Sequence, residues 1–292
     1  LGRMLTPLSP ITPAQQRDLL HFLQQASHVD LHTWQRLHLN GLPLGYLNTR
    51  WQQQLQADIP ELLHIQADGY HVTTQDWLHC ADVLQNLGRE WYDLGLFTGW
   101  RNERFDVLHG QEALFALERS LFRPLGMISQ AVHLNGFVVE NGDTRMWIGK
   151  RSPFKAVDPD KLDNLVGGGV ATGESLDEAC MREGFEEAGL GEDITGKQPV
   201  PRCIYSQRAV SRGLHREHLF VYNLHIPAGF TPENQDGEVA EFQLMDIPSI
   251  IEAMLTGRFM NDAMLVTLDG LLQRGFITAS SELGAWLLAQ RC

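Results

Sequence analysis

The chain has 292 residues, 43% of them hydrophobic, enough to bury a substantial core and to fill two domains of ordinary size. Its 36 acidic residues outnumber its 23 basic ones, for a formal net charge of −13. That balance excludes a nucleic-acid polymer as partner, because binding a phosphate backbone needs clustered Lys and Arg. A small phosphorylated molecule stays compatible, since a bound metal and a few local cations overcome the general repulsion.

Cys80, Cys180, Cys203 and Cys292 form no CxxC pair, so the expectation is buried or free thiols rather than a zinc knuckle or a disulfide framework. No apolar run reaches membrane-spanning length, and Pro7, Pro10 and Pro13 interrupt the start where a signal peptide needs a continuous apolar stretch. The expected location is the cytoplasm, with no membrane partner.

In chain order, Pro13 opens a predicted helix to Ser27, with Leu19, Leu20, Phe22 and Leu23 as its apolar stripe. Strand-like pieces follow around Trp34 to Leu39 and Tyr70 to Thr73. Asp76 to Leu94 reads as a helix, with Trp77, Leu78, Ala81, Leu84, Leu87 and Trp91 at helical spacing and Thr74 as N-cap. Glu112 to Leu121 reads as another. From about Gly126 the texture changes to strands, with 128–139 and 146–150 joined as a hairpin by Asn141-Gly142. Further strands are predicted at 202–210, 218–225 and 238–245, and helices at 247–255 and 262–273. This order predicts an α/β sandwich with a mixed sheet covered on both faces over residues 126–292, preceded by a smaller α+β domain over residues 1–125.

The chemistry is concentrated between Gly167 and Leu190. Glu183, Glu186 and Glu187, at i, i+3 and i+4, share one face of a predicted helix. Carboxylates this close repel, and a hard divalent cation such as Mg²⁺ or Mn²⁺ turns the repulsion into oxygen coordination. Gly167, Gly168 and Gly169 are expected to form a tight loop that brings backbone groups, the Gly168 carbonyl among them, beside the metal and phosphates. Gly173 permits a positive φ before the helix. Arg182 can orient a neighbouring carboxylate, and Glu174 can do similar work. The plainer alternative, a solvent-facing acidic helix with Arg182 in a surface pair, leaves the glycines and Glu174 unexplained.

Leu176, Ala179, Cys180 and Phe185 mark the predicted buried side of that helix. Lys150, Arg151, Lys155 and Lys161 lie on the segment entering the glycines and, with Gly167 and Gly168, are candidate phosphate ligands; singly, each reads equally well as a solvated loop residue. Arg208, Arg212 and Arg216 form a second basic group. Trp100, Trp147 and Tyr205 are candidate stacking partners that fit a core better. The twelve histidines show no ligand spacing.

Gly168, Glu174, Arg182-Glu183, Glu186-Glu187 and Gly189-Leu190 stand at the spacing of the Nudix box, and here the chain resembles the Nudix hydrolases. Gly184 departs from the pattern, standing where the family has an aliphatic residue. The resemblance implies a Nudix α/β/α sandwich that hydrolyses a nucleoside diphosphate linked to some group X, with Glu183, Glu186 and Glu187 as ligands for Mg²⁺ or Mn²⁺. It also implies a later glutamate that completes the site or acts as base, for which Glu238 and Glu241 are candidates, with Glu217 behind them. Nudix domains often pair, so a homodimer is a state the analogy allows.

Stretches outside the box, among them Trp100-Arg101-Asn102-Glu103, Glu118-Arg119-Ser120-Leu121-Phe122-Arg123 and Asn234-Gln235-Asp236-Gly237-Glu238-Val239, are similar to the Nudix subfamily related to thiamine pyrophosphokinase. That implies a diphosphatase converting thiamine diphosphate or its oxidised analogues to the monophosphate, with the N-terminal extension selecting the organic part. No GxxxxGK[ST] loop is present, and no kinase domain is expected. The alternatives are an oxidised nucleoside diphosphate, ADP-ribose or another nucleotide derivative as substrate, or a ligand-binding Nudix module without turnover.

Overall fold

A computed structural model describes residues 10–155 and 157–292; Pro7 of the proline-punctuated start lies outside the described residues. The elements run α1 (Pro13–Ser27), β1 (Gln35–Leu39), β2 (Leu42–Leu47), α2 (Thr49–Asp58), β3 (Leu63–Gln66), β4 (Gly69–Val72), α3 (Trp77–Asp93), β5 (Arg104–His109) and β6 (Glu112–Glu118). They continue with β7 (Ile128–Glu140), β8 (Asp143–Arg151), β9 (Leu162–Asp163), β10 (Val166–Gly169), α4 (Leu176–Ala188), α5 (Glu192–Thr195), β11 (Arg202–Val210), β12 (Gly213–His225), β13 (Val239–Asp246), α6 (Ile247–Leu255), α7 (Asn261–Gln273) and α8 (Glu282–Ala289).

Seven strands make the principal sheet, with β11, β12, β7, β8 and β13 in line, β10 beside β7 and β9 beside β8. It is mixed, because β12 runs parallel to β7 while the other pairings are antiparallel. The β7–β8 hairpin turns at Asn141 (φ 52°) and Gly142 (φ 81°), the two left-handed residues that a type I′ turn requires. One face packs against α6, α7 and α8 through Phe137, Met146, Ile148, Ile250 and Leu268; the other packs against α4 through Val132, Leu134, Ala179 and Cys180. Helix-covered faces on both sides of a mixed sheet give the α/β architecture, with an α+β region ahead of it.

The 13-residue β7 has two successive partners on one edge. Residues 131–134 pair with β10, and residues 136–140 pair with β8. A strand shared in this way opens a cleft between β10 and β8, and that cleft holds the candidate site.

Residues 35–127 build a separate apolar cluster around the fully buried Trp51, Trp91 and Leu117, with a four-stranded sheet in the order β2-β1-β4-β3 and a hairpin of β5 and β6. Helix α1 does not join it. Ile11, Leu19 and Leu23 pack instead with α6, α7 and α8, so the first 125 residues contribute to two cores.

Several expectations change. Glu112 to Leu121 is a strand followed by a 3₁₀ turn rather than a helix, because β6 finds a hairpin partner in β5 that propensity cannot see. The N-cap of α3 is Asp76, which accepts from the His79 amide at 2.8 Å, while Thr74 hydrogen-bonds Asn40. Gly167, Gly168 and Gly169 form strand β10 rather than a tight loop. Phe185 is 57% exposed, not buried.

Cys203 and Cys292 form a disulfide with Cα atoms 5.2 Å apart, whereas Cys80 and Cys180 are buried thiols. The bond ties the chain end to β11 and closes a span of 89 residues. Its loss through Cys292→Ser is expected to lower unfolding free energy by about 2–4 kcal/mol, since most of the effect is loop closure in the unfolded chain. Chemical denaturation of oxidised wild type against the variant measures this.

Candidate active site

Helix α4 sets the geometry. Ser175 caps its N-terminus in a reciprocal box with Glu178, Gly173 takes φ 78° just before it, and Gly189 ends it in the left-handed conformation. The face thus fixed carries Glu183 and Glu187, both buried, and the half-exposed Glu186 toward β10.

Arg182 sits among the carboxylates. Its guanidinium donates to Glu174 at 2.6 and 2.9 Å, to Glu183 at 2.8 Å, to Glu186 at 3.3 Å and to the Gly169 carbonyl at 3.2 Å. Glu174 also accepts from the Ala171 amide, so it holds the turn and the arginine together. Despite its burial, the contact with Arg182 keeps the Glu174 carboxyl below its ordinary value.

Burial pushes Glu183 up to about 7 against the pull of Arg182, with Glu186 and Glu238 adding repulsion. Burial also raises Glu187 well above its usual range, helped by Glu183 and resisted by the hydrogen bond from the Gly167 amide at 3.0 Å. These are desolvated carboxylates crowded together, a state that a hard cation relieves.

The chemistry of the donor set suits a divalent metal. The donors are all oxygen, and the backbone leaves room only because residue 168 is glycine: a Cβ there would stand 2.2–2.5 Å from the Glu183 carboxylate. Glu183, Glu186 and Glu187 are the residues that would hold Mg²⁺ or Mn²⁺.

The carboxylates open into a cavity of about 330 Å³. Glu238 lines it and is bound by Lys155 at 2.6 Å and Arg101 at 3.5 Å. Burial opposes ionisation of Glu238, but Lys155, Arg101 and Arg119 win and hold its carboxyl below the usual value. Arg151 lines the cavity while bonded to Asp163 at 3.1 Å. Gly167 and Gly168 line it as strand residues.

Other expected residues fall elsewhere. Lys161 lines no part of the cavity, and Lys150 borders only a small adjoining cleft beside Glu187. Lys150 sits in the strand ladder, paired with Leu162 and Glu241, and Lys161 lies on the loop ahead of β9, its carbonyl accepting from the Arg151 amide. Glu241 is exposed on β13, accepts from Gln243 and does not line the cavity, whereas Glu238 does. Glu217 lines the cavity and accepts from Ser129 at 2.6 Å. Trp100, Trp147 and Tyr205 do not line it; Phe105 and Phe122 do.

Sequence reasoning missed the wall contributed by residues 99–123, including Arg101, Glu103, Arg119 and Arg123. These residues lie within the stretches that carry the subfamily resemblance, which was the only signal for them. The wall is keyed to the motif itself. The Thr172 amide donates to the Arg104 carbonyl at 2.9 Å, and a Cβ at Gly169 would lie 2.3 Å from the Phe105 ring. Asp262, at the start of α7, was also missed. It binds Arg208 at 2.7 Å and His215 at 2.9 Å, and despite full burial those two groups hold it well below its usual value.

The family model described as NUDIX domain matches residues 134–263. Nudix hydrolase 24, chloroplastic, of Arabidopsis thaliana is 32% identical over 250 residues, covering 82% of this chain and 67% of that protein. The chain belongs to the Nudix hydrolases. Nudix hydrolase 20, chloroplastic, of the same plant is 35% identical over 205 residues, 69% of this chain and 54% of that protein. This Nudix chain thus spans about two thirds of the first relative and about half of the second. Among solved structures, that of DR0079 from Deinococcus radiodurans has a TM-score of 0.43 and 23% identity, covering 57% of this chain and 98% of that one. Among the described residues, no helix is long and apolar enough to cross a membrane.

Proposed function

We propose that the protein is a divalent-metal-dependent diphosphatase that hydrolyses a phosphoanhydride bond in a small nucleotide derivative. The observation that carries this reading is the convergence of Glu183, Glu186 and Glu187 near the Gly168 backbone, in a cavity also lined by Lys155, Arg151 and Arg101. A divalent ion held there would supply positive charge against the diphosphate oxygens and acidify water.

The chain's own residues account for the rest. Arg182, clamped by Glu174, fixes Glu183 and Glu186 so that the carboxylates are placed before substrate arrives. Lys155 and Arg101 keep Glu238 ionised, which suits a group that accepts a hydrogen bond from the attacking water and orients it toward phosphorus. The wall from residues 99–123 supports the reading that residues 1–125 select the organic part of the substrate.

The subfamily resemblance supplies a second substrate, thiamine diphosphate or its oxidised analogues. The two readings differ in the charge of the organic part, because a thiazolium is a cation. Among the described residues Arg123 and Arg212 line the cavity without a carboxylate in ion-pair contact, which favours the nucleotide derivative.

A panel of ADP-ribose, 8-oxo-dGDP, thiamine diphosphate and oxothiamine diphosphate, assayed with Mg²⁺ or Mn²⁺, tests the proposal. Metal-dependent product release that chelation stops is expected, with the nucleotides ahead of the thiamine compounds. Folded protein that binds one of these diphosphates and releases no product with either metal would refute the enzyme.

A further inference from the structure

The cations that line the cavity are nearly all committed. Arg101 and Lys155 bind Glu238, Arg119 binds Glu103, Arg151 binds Asp163, Arg182 binds its three glutamates, and Arg208 binds Asp262. Arg123 and Arg212 differ. Among the described residues neither guanidinium has a carboxylate within ion-pair distance or a side-chain hydrogen bond, yet both line the same cavity. Burial lowers the pKa of each, and Arg208 and Arg212 lower that of Arg123 further against the nearby Glu217 and Asp262.

The two arginines are held together by backbone. The Arg123 carbonyl accepts from the Leu214 amide at 3.0 Å, and a Cβ at Gly213, where φ is 152°, would lie 2.2 Å from that oxygen. The Arg212 carbonyl accepts from the indole of the fully buried Trp51 at 2.6 Å. On its other side the Arg212 guanidinium lies against Gly99, where a Cβ would stand 3.3 Å from Nη2. Such fixing sets where the two side chains start and leaves their N–H donors open to an anion.

Their place is the end of the cavity remote from the glutamates. Gly168 pairs with Val132, which pairs with Phe220, and Leu214 lies six residues back along β12. At about 3.3 Å per residue the two backbones are roughly 20 Å apart, which the inward reach of the side chains shortens to the order of 10 Å. The organic part of a diphosphate ester spans such a gap. At the far end, Arg123, Arg208 and Arg212 face two carboxylates, Asp262, already bound by Arg208 and His215, and Glu217, bound by Ser129.

We infer that Arg123 and Arg212 form a second anion subsite, and that the preferred substrate is a diphosphate ester whose organic part carries a phosphate monoester or a carboxylate at the end remote from the scissile bond. The inference deepens the proposed diphosphatase and rests on that reading for the word substrate. The subsite itself rests on the two guanidiniums. A planar guanidinium pair matches either oxyanion through paired N–H bonds.

Two matched pairs of probes separate the sources, UDP-glucuronate against UDP-glucose for a carboxylate and ADP-ribose 2′-phosphate against ADP-ribose for a phosphate. Equilibrium binding to the full chain is expected to be about 10- to 100-fold tighter for the acidic member of at least one pair. Arg212→Gln and Arg123→Gln should each cut that preference to within about two-fold, chiefly by weakening the member that carries the added acid. Arg212→Gln removes no hydrogen bond of the side chain, so it keeps the test open if Arg123→Gln does not fold. Equal affinities within both pairs, or a preference that survives Arg212→Gln, would overturn the subsite. Product release measured on the same samples reads the diphosphatase separately. A retained binding preference with no turnover of any probe would sink the enzyme and leave the anion subsite standing.

Discussion

Glu186→Gln is expected to lower metal-dependent kcat by at least about 10²–10³-fold while leaving the melting temperature nearly unchanged. The two effects separate because of where the side chain stands. Glu186 is the half-exposed member of the three, with 44% of its side chain open to solvent and one long contact to Arg182 at 3.3 Å, so its amide replacement breaks no buried network. Glutamine keeps the shape and removes the charge that a divalent ion needs from its ligands. Assays at saturating substrate across a Mg²⁺ titration, with thermal unfolding of the metal-free variant alongside, measure both. A variant that turns over at the wild-type rate would remove Glu186 from the metal site.

Gly168→Ala should cost on the order of 10²-fold in kcat/KM through a single added methyl group. A Cβ at that position would stand 2.2 Å from the carboxyl carbon of Glu183 and 2.4 and 2.5 Å from its oxygens, closer than any van der Waals contact allows. Glu183 cannot retreat without breaking its 2.8 Å bond to Arg182, which is itself fixed by Glu174 and the Gly169 carbonyl. Either the carboxylate or strand β10 must move, and β10 is tied across to residues 131–134 of β7. Overpacking of this kind destabilises by about 1–3 kcal/mol, so folding should survive with an impaired site. The diagnostic readout is the Mg²⁺ concentration for half-maximal rate, which should rise in Gly168→Ala and stay put in Gly167→Ala. At Gly167 an added methyl meets the His133 ring at 3.2 Å and Asp163 Oδ1 at 3.7 Å, well clear of the Glu183 carboxylate.

The parts legible in the sequence are those that local pattern determines. The Asn141-Gly142 hairpin, helix α1 behind Pro13 and helix α4 with its three glutamates follow from turn chemistry and from helical spacing, both properties of neighbouring residues. Where a partner strand or packing neighbour decides the conformation, pattern failed. Glu112 to Glu118 has helix-forming composition and became a strand because Arg104 to His109 lies beside it. The glycines of β10 read as loop residues, yet they are a strand whose missing side chains make space for Glu183 and Phe105. Phe185 fits the apolar stripe of α4, but α4 buries one face against the sheet and Phe185 points off that face.

The same distinction holds in the site. The carboxylates, Arg182 and Glu174 lie within fourteen residues and could be read together. The cavity's other walls come from residues 99–123, 208–217 and 262, which meet only because β12 runs parallel to β7 and the β11–β12 turn abuts the Arg123 backbone. Arg123 and Arg212 carry no linear signal of their common use. Their pairing is a consequence of topology, which brings the β11–β12 turn against the Arg123 backbone.

Diffraction from crystals grown with Mn²⁺, read at the manganese absorption edge, tests the central claim most directly. An anomalous peak about 2.0–2.3 Å from carboxylate oxygens of Glu183, Glu186 and Glu187 is the expected result. Manganese bound elsewhere, with those three carboxylates turned apart and still paired only with Arg182, would contradict it.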